Sequence, residues 1–296
     1  MITYNPRKWF KFLLTFHKED TFRRLLPMLV AISVYSFAVA CIEFLWWHIS
    51  DDKYAKNLSM LHNLLGFVLS LLLVFRTNSA YDRWWEGSIL WNQLTNVTRN
   101  FAMKLDAIIP ANDQTNRHFF AYSINFFAFS LRDHLRVSKD FTPMDVTDHF
   151  EELDSVEKSL NKPVEITSVL YKRLYNLQSE SKLNGEQLLS LYTDVEKLND
   201  ICGACERIKN TPIPSSYSIF VKRFVYVYIM TLPFGFVFSL GFYTIPVVAF
   251  VFYVLASLQI IAEEIEDPFG DDANDIPTNK LAVNIKAQVD ELLLAY

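Results

Sequence analysis

From Phe224 to Ala262 the chain runs for 39 residues without a charged side chain or a histidine. A helix needs roughly 20 apolar residues to cross a bilayer core of about 30 Å, so the run has room for two crossings. A soluble chain of 296 residues has too small a core to bury it comfortably. "GFYTIP", Gly241–Pro246, is the expected hairpin, between spans over Tyr217–Phe242 and Thr244–Ala262. Two further spans are expected at Leu25–Trp47 and Leu58–Phe75. The first holds one acid, Glu43, beside an interfacial Trp46–Trp47 pair. The second is short and starts on polar His62 and Asn63. Directly after the uncharged run, seven carboxylates fall within thirteen residues: Glu263, Glu264, Glu266, Asp267, Asp271, Asp272 and Asp275.

Basic residues orient the spans, because they collect on the cytoplasmic side. Arg7, Lys8, Lys11, Lys18, Arg23 and Arg24 precede the first span. Arg76 and Arg83 follow the second, and Arg207, Lys209, Lys222 and Arg223 surround the start of the third. Between the first two spans, Lys53 and Lys56 are offset by Asp51 and Asp52. Both termini and the middle of the chain are therefore expected in the cytoplasm. No small-residue cleavage site follows the first apolar run, so it is expected to be an anchor and not a removed signal. The expected order is a cytoplasmic N-terminal segment (1–24), two spans (25–75), a cytoplasmic helical domain (76–216), two spans (217–262) and a cytoplasmic C-terminal segment with the acidic turn (263–296).

The middle region is helical by its periodicity. Trp84, Ile89, Trp91, Leu94, Val97 and Phe101 recur at three-to-four spacing, in direct continuation of the second span. "IPAND" at 109–113 breaks that helix. Further helices are expected over "QTNRHFFAYSINFFAFSLRDHLR", "KPVEITSVLYKRLYNLQSE" and "NGEQLLSLYTDVEKLNDICGACERIKN". Asp145 or Asp148 is placed to cap a short helix. No stretch alternates with period two, so the fold class is all-α.

Most catalytic chemistry lacks its residues. Cys202-Gly-Ala-Cys205 has neither the βαβ setting of a redox motif nor two further zinc ligands, and reads as helix packing. His17, His48, His62, His118, His134 and His149 form no metal-binding pair. Seven glycines leave no phosphate loop, and no nucleophile elbow occurs. A net charge of −5 argues against a nucleic-acid partner. The chain is not expected to be an enzyme.

Three stretches, "VFRTNSAYDRWWEG" (Val74–Gly87), "CERIKNTPIPSSYS" (Cys205–Ser218) and "EEIEDPFGDDANDIP" (Glu263–Pro277), resemble the bestrophin family in its bacterial branch, in that family's order and spacing. The resemblance implies a homopentameric ion channel with four transmembrane helices per subunit, a helical cytoplasmic domain and one axial pore. It implies a pore neck at Phe67, Leu71 and Phe75. At about 1.5 Å per residue, such four-residue steps stack apolar rings about 6 Å apart, and they offer an ion no ligand. It implies a cytoplasmic aperture at Ile213, held between Pro212 and Pro214. A calcium clasp, as in animal members, would use the carbonyls of Glu264 and Asp267 and the carboxylates of Asp272 and Asp275. Ala273 and Asn274 interrupt the acidic string that animal members carry. The competing role for these acids is pairing with cytoplasmic Arg and Lys, for instance those flanking Trp84–Trp85. The implied partners are membrane lipid and monovalent ions: chloride by the family's label, or sodium and potassium as in some bacterial members. The reading from another class is a membrane-anchored scaffold or sensor.

Overall fold

The computed structural model describes residues 21–47, 52–136, 150–272 and 274–294. The expected caps Asp145 and Asp148, basic residues 7, 8, 11 and 18, and His17, His48 and His149 lie outside them. Among the described residues there is no strand. Nine α-helices are described: α1 (Thr21–Ile42), α2 (Asp52–Ile108), α3 (Gln114–Leu135), α4 (Asp154–Lys158), α5 (Lys162–Ser179), α6 (Gly185–Asn210), α7 (Ser215–Leu240), α8 (Thr244–Glu266) and α9 (Thr278–Leu294). They fall into two compact units. One comprises Arg83–Thr211 with Asp267–Tyr296, the other Ile2–Asp82 with Pro212–Glu266.

Helix α2 runs unbroken for 57 residues, because no proline interrupts it before Pro110. It begins at Asp52, before the expected Leu58. At its far end Asp113 caps α3, its side chain accepting from the Asn116 N–H at 3.3 Å. Asn184 and Gln187 close a reciprocal capping box at the start of α6.

The unit that holds α1, α7, α8 and the first half of α2 contains the apolar helices. The stretches Thr21–Leu45, Asn57–Ile108 and Ser215–Glu266 are long and apolar enough to cross a membrane. The third is interrupted by a 3-10 turn at Gly241–Tyr243, where Gly241 takes a φ of +54° that a side chain would strain. Its two helices pack on one another, and Lys222 near the start of α7 pairs with Glu263 near the end of α8 at 2.6 Å. The stretch therefore folds back as a hairpin. The shared core joins Leu25 of α1, Leu69 and Leu73 of α2, Val221, Val225, Ile229 and Leu232 of α7, and Val248 and Phe252 of α8. Hydrogen bonds from Tyr35 to the Met230 carbonyl (2.8 Å) and from Tyr217 to the Leu72 carbonyl (3.0 Å) tie the same helices.

The other unit packs the second half of α2 with α3, α5, α6 and α9 around Trp91, Phe101, Phe120, Phe127, Leu170, Leu198 and Ile285. Three arginine bonds anchor its periphery. Buried Arg117 donates to the Leu293 carbonyl at 3.0 Å and the Ile109 carbonyl at 2.8 Å, and pairs with Asp106.

Helix α9 is absent from the sequence expectation, which gave 263–296 no helix. Its signal is legible in hindsight. Ala282, Ile285, Val289 and Leu293 recur at three-to-four spacing, and all four are buried, with α9 packed against α3. Truncating the central one, Ile285→Ala, is expected to cost about 2–5 kcal/mol. The exposed neighbour variant Asn284→Ala should change stability by less than about 0.5 kcal/mol. Thermal unfolding of the detergent-purified protein measures both.

Candidate functional site

Helix α2 has two faces in its first half. At about 100° per residue, His62, Leu69, Leu73, Arg76 and Ala80 fall within one narrow arc, and all five are buried. His62 turns one ring nitrogen to the Leu58 carbonyl (2.8 Å) and the other to the Thr231 hydroxyl (3.2 Å). Gly235 lets α7 approach this ring, since a Cβ there would lie 2.8 Å from His62 Nδ1. On the opposite side, Phe67, Leu71 and Phe75 are 68%, 47% and 57% exposed. The three expected neck residues thus share a face, and none is used in packing the chain's own core.

The side chain after Phe75 turns the other way. Arg76 is 1% exposed. Its Nη2 lies 3.2 Å from Glu266 Oε2 and 3.7 Å from Glu263 Oε1, and its Nη1 donates to the Ser218 hydroxyl. Its Nε is buried without a hydrogen-bond partner among the described residues. The second oxygen of Glu266 accepts the Ile213 N–H at 3.0 Å. One carboxylate therefore joins the end of the Phe67–Phe75 stripe to the turn that presents Ile213. That turn is Thr211–Pro214, from whose Pro214 carbonyl α7 starts; Ile213 itself is half-buried.

The remaining acids divide among separate partners. Glu264 pairs with Arg24 at 2.7 Å and Asp271 with Arg136 at 2.9 Å. The arginine flanking the Trp pair, Arg83, donates to the carbonyls of Ile208 and Thr211, at the end of α6. After α8 the chain turns tightly. The Asp272 N–H donates to Asp275 Oδ2 at 2.6 Å, and the Asp275 N–H to the Asp272 carbonyl at 3.1 Å. Gly270 leaves room for that carboxylate, where a Cβ would lie 2.8 Å from Asp275 Oδ2. Burial, together with Asp272 and Asp267 nearby, pushes the Asp275 carboxyl up to about 7. Its Oδ1 is buried without a hydrogen-bond partner among the described residues. Among the described residues, no three His, Cys, Asp or Glu side chains converge to hold a metal ion.

A family model described as "Bacterial/Fungal Bestrophin protein" matches residues 1–291. The chain belongs to the bacterial and fungal bestrophins. This bestrophin is 36% identical over 233 residues to a voltage-dependent anion channel-forming protein of Nostoc sp., a match over 77% of this chain and 75% of the relative. A protein of the same description in Ralstonia nicotianae is 29% identical over 289 residues, covering 96% and 92%. A mutant bestrophin homologue from Klebsiella pneumoniae superposes with a TM-score of 0.82 at 25% identity, over 92% of this chain and 99% of that one. This bestrophin is itself a membrane protein, and among its described residues it is all-helical.

The cysteine pair of this bestrophin is inert packing. Cys202 and Cys205 are fully buried, and burial pushes the Cys202 thiol up to about 12 and raises that of Cys205. The sequence reading missed Arg76, Ser218 and Glu266 as a cluster. The available signal was that Arg76 falls on the face of Leu69, Leu73 and Ala80.

Two outcomes are expected. Arg76→Ala should destabilise the protein by about 1–3 kcal/mol by stripping the half-buried Glu263 and Glu266 of their cation, read by chemical or thermal unfolding. For Asp275, the folded state holds a proton that the unfolded chain has released between about pH 4 and 7, so stability falls as pH rises through that window. Asp275→Asn should flatten this slope in unfolding curves recorded across that range.

Proposed function

We propose that this bestrophin is a passive channel for monovalent ions. Five copies surround one axis, each with four transmembrane legs formed by α1, the first half of α2, α7 and α8. The observation that carries the reading is the two-faced α2. Phe67, Leu71 and Phe75 stand exposed at successive four-residue steps while the opposite face is buried. Turned to the axis, these side chains make an apolar neck. Such a neck closes by dewetting, or widens to pass a partly hydrated ion. Ile213 forms a second constriction, and Glu266 ties its turn to Arg76, directly after the neck. Membership of a family whose relatives are described as anion channel-forming proteins supports conduction. Residues 76–216 and the acidic C-terminal segment lie in the cytoplasm with both termini, in keeping with the basic residues that flank the spans. No covalent chemistry is part of this function, and the Asp272–Asp275 turn, closed by its own hydrogen bonds, supports conduction independent of calcium.

Purified protein in planar bilayers is expected to show single-channel currents, and crosslinking a ladder that ends at five. Leu71→Ala should raise unit conductance or open probability several-fold by wetting the neck. Currents should be the same with calcium as with a chelator. The absence of currents in any salt, or a ladder ending at two, overturns the proposal.

A further inference from the structure

The exposed face of α2 does not stop at Phe75. At about 100° per residue, Asn78 and Asp82 fall in the same arc of about 80° as Phe67, Leu71 and Phe75. Both are exposed. Asp82 is the first charged side chain met on this face beyond the apolar stripe, seven residues or about 10 Å along the axis from Phe75.

The neighbouring charges are engaged. Arg76 is buried against Glu263 and Glu266. Arg83 donates to two carbonyls at the end of α6, and Glu86 accepts from Arg207 at 2.5 Å. Asp82 makes no hydrogen bond or ion pair among the described residues. Its carboxylate supports no part of the fold that would explain an acid there. It is also cheap for the fold to replace.

We propose that Asp82 is the specificity-determining residue of the conduction path and biases it towards monovalent cations. The inference rests on the channel reading above. Copies of one acid at one level around an axis sum their fields, and low-dielectric walls focus that field along the lumen. A ring of carboxylates at a pore mouth concentrates cations and repels anions. The distance from Phe75 is comparable with the screening length in dilute salt, about 10 Å, so the ring acts on ions leaving the neck. Leu64, Phe67, Leu71 and Phe75 carry no charge, so the neck itself decides only whether ions pass. The sign of the ion is left to the first charge beyond it. A cation bias sets this chain apart from relatives described as anion channel-forming proteins.

The test uses the full-length protein in planar bilayers under a KCl gradient, with reversal potential as the readout. The wild type is expected to reverse on the potassium side. Asp82→Asn, which keeps the side-chain shape, should lower the cation-to-anion permeability ratio by about ten-fold. Asp82→Glu should retain the ratio, which a merely structural role for the position would not require. Asp82→Lys should move the reversal potential to the chloride side, and Leu71→Ala should alter conductance but not the ratio. Raising the salt should shrink the effect of Asp82→Asn. Currents whose ratio is the same in wild type and Asp82→Asn, or a wild type that reverses on the chloride side, overturn this assignment and leave the channel reading standing. No current from the wild type overturns both.

Discussion

Arg76 is the charge around which the apolar helices close. A guanidinium at 1% exposure is costly to desolvate unless its donors are met by fixed acceptors. Here Nη1 and Nη2 are met by Ser218 at the start of α7 and by Glu263 and Glu266 at the end of α8, and Nε has no partner among the described residues. The end of α8 and the start of α7 are thereby held against the interior of α2. Apolar packing among Leu69, Val225, Ile229 and Val248 fills the space between helices but has no strong register of its own. The ion cluster around buried Arg76 supplies that register, because it forms only when the end of α8 and the start of α7 both meet α2 at that residue. It also reaches the Ile213 turn through the second oxygen of Glu266. A shift of α8 would move that turn and the end of the Phe67–Phe75 stripe together.

The same cluster accounts for the division of faces on α2. Arg76 points inward with Leu69, Leu73 and Ala80, so the residues half a turn away must point outward. Phe67, Leu71 and Phe75 are exposed because the inward side is already filled. His62 and Gly235 show how tightly it is filled, since even a methyl at position 235 would collide with the imidazole. A large apolar stripe left outside a well-packed core is the kind of surface that meets a partner or lines a passage. In a bestrophin, the passage is the reading in keeping with the family.

Much of this was legible from residue order. The uncharged run at Phe224–Ala262, its turn near Gly241 and the helices around "IPAND" follow from hydropathy, period and breakers. Helix α9 was legible too, in the three-to-four spacing of Ala282, Ile285, Val289 and Leu293 after Pro277. The acids were not separable by sequence. Glu263 and Glu266 share a face of α8 at i,i+3 and meet Arg76, whereas Glu264, turned about 100° away, meets Arg24. Asp275 alone folds inward onto its own turn. Seven similar carboxylates thus have at least three different environments, and none follows from composition.

The sequence by itself determined the class of the protein: apolar helices of crossing length, an all-α body, and family motifs in order. These are local properties, set by side-chain hydrophobicity and backbone propensity along the chain. The tertiary structure decided which face of α2 is buried, which acids meet Arg76, and that the Asp82 side chain stands exposed without a partner among the described residues. Those outcomes depend on which residues distant in sequence share a surface. A buried guanidinium selects its carboxylates by distance and geometry, and linear spacing records neither.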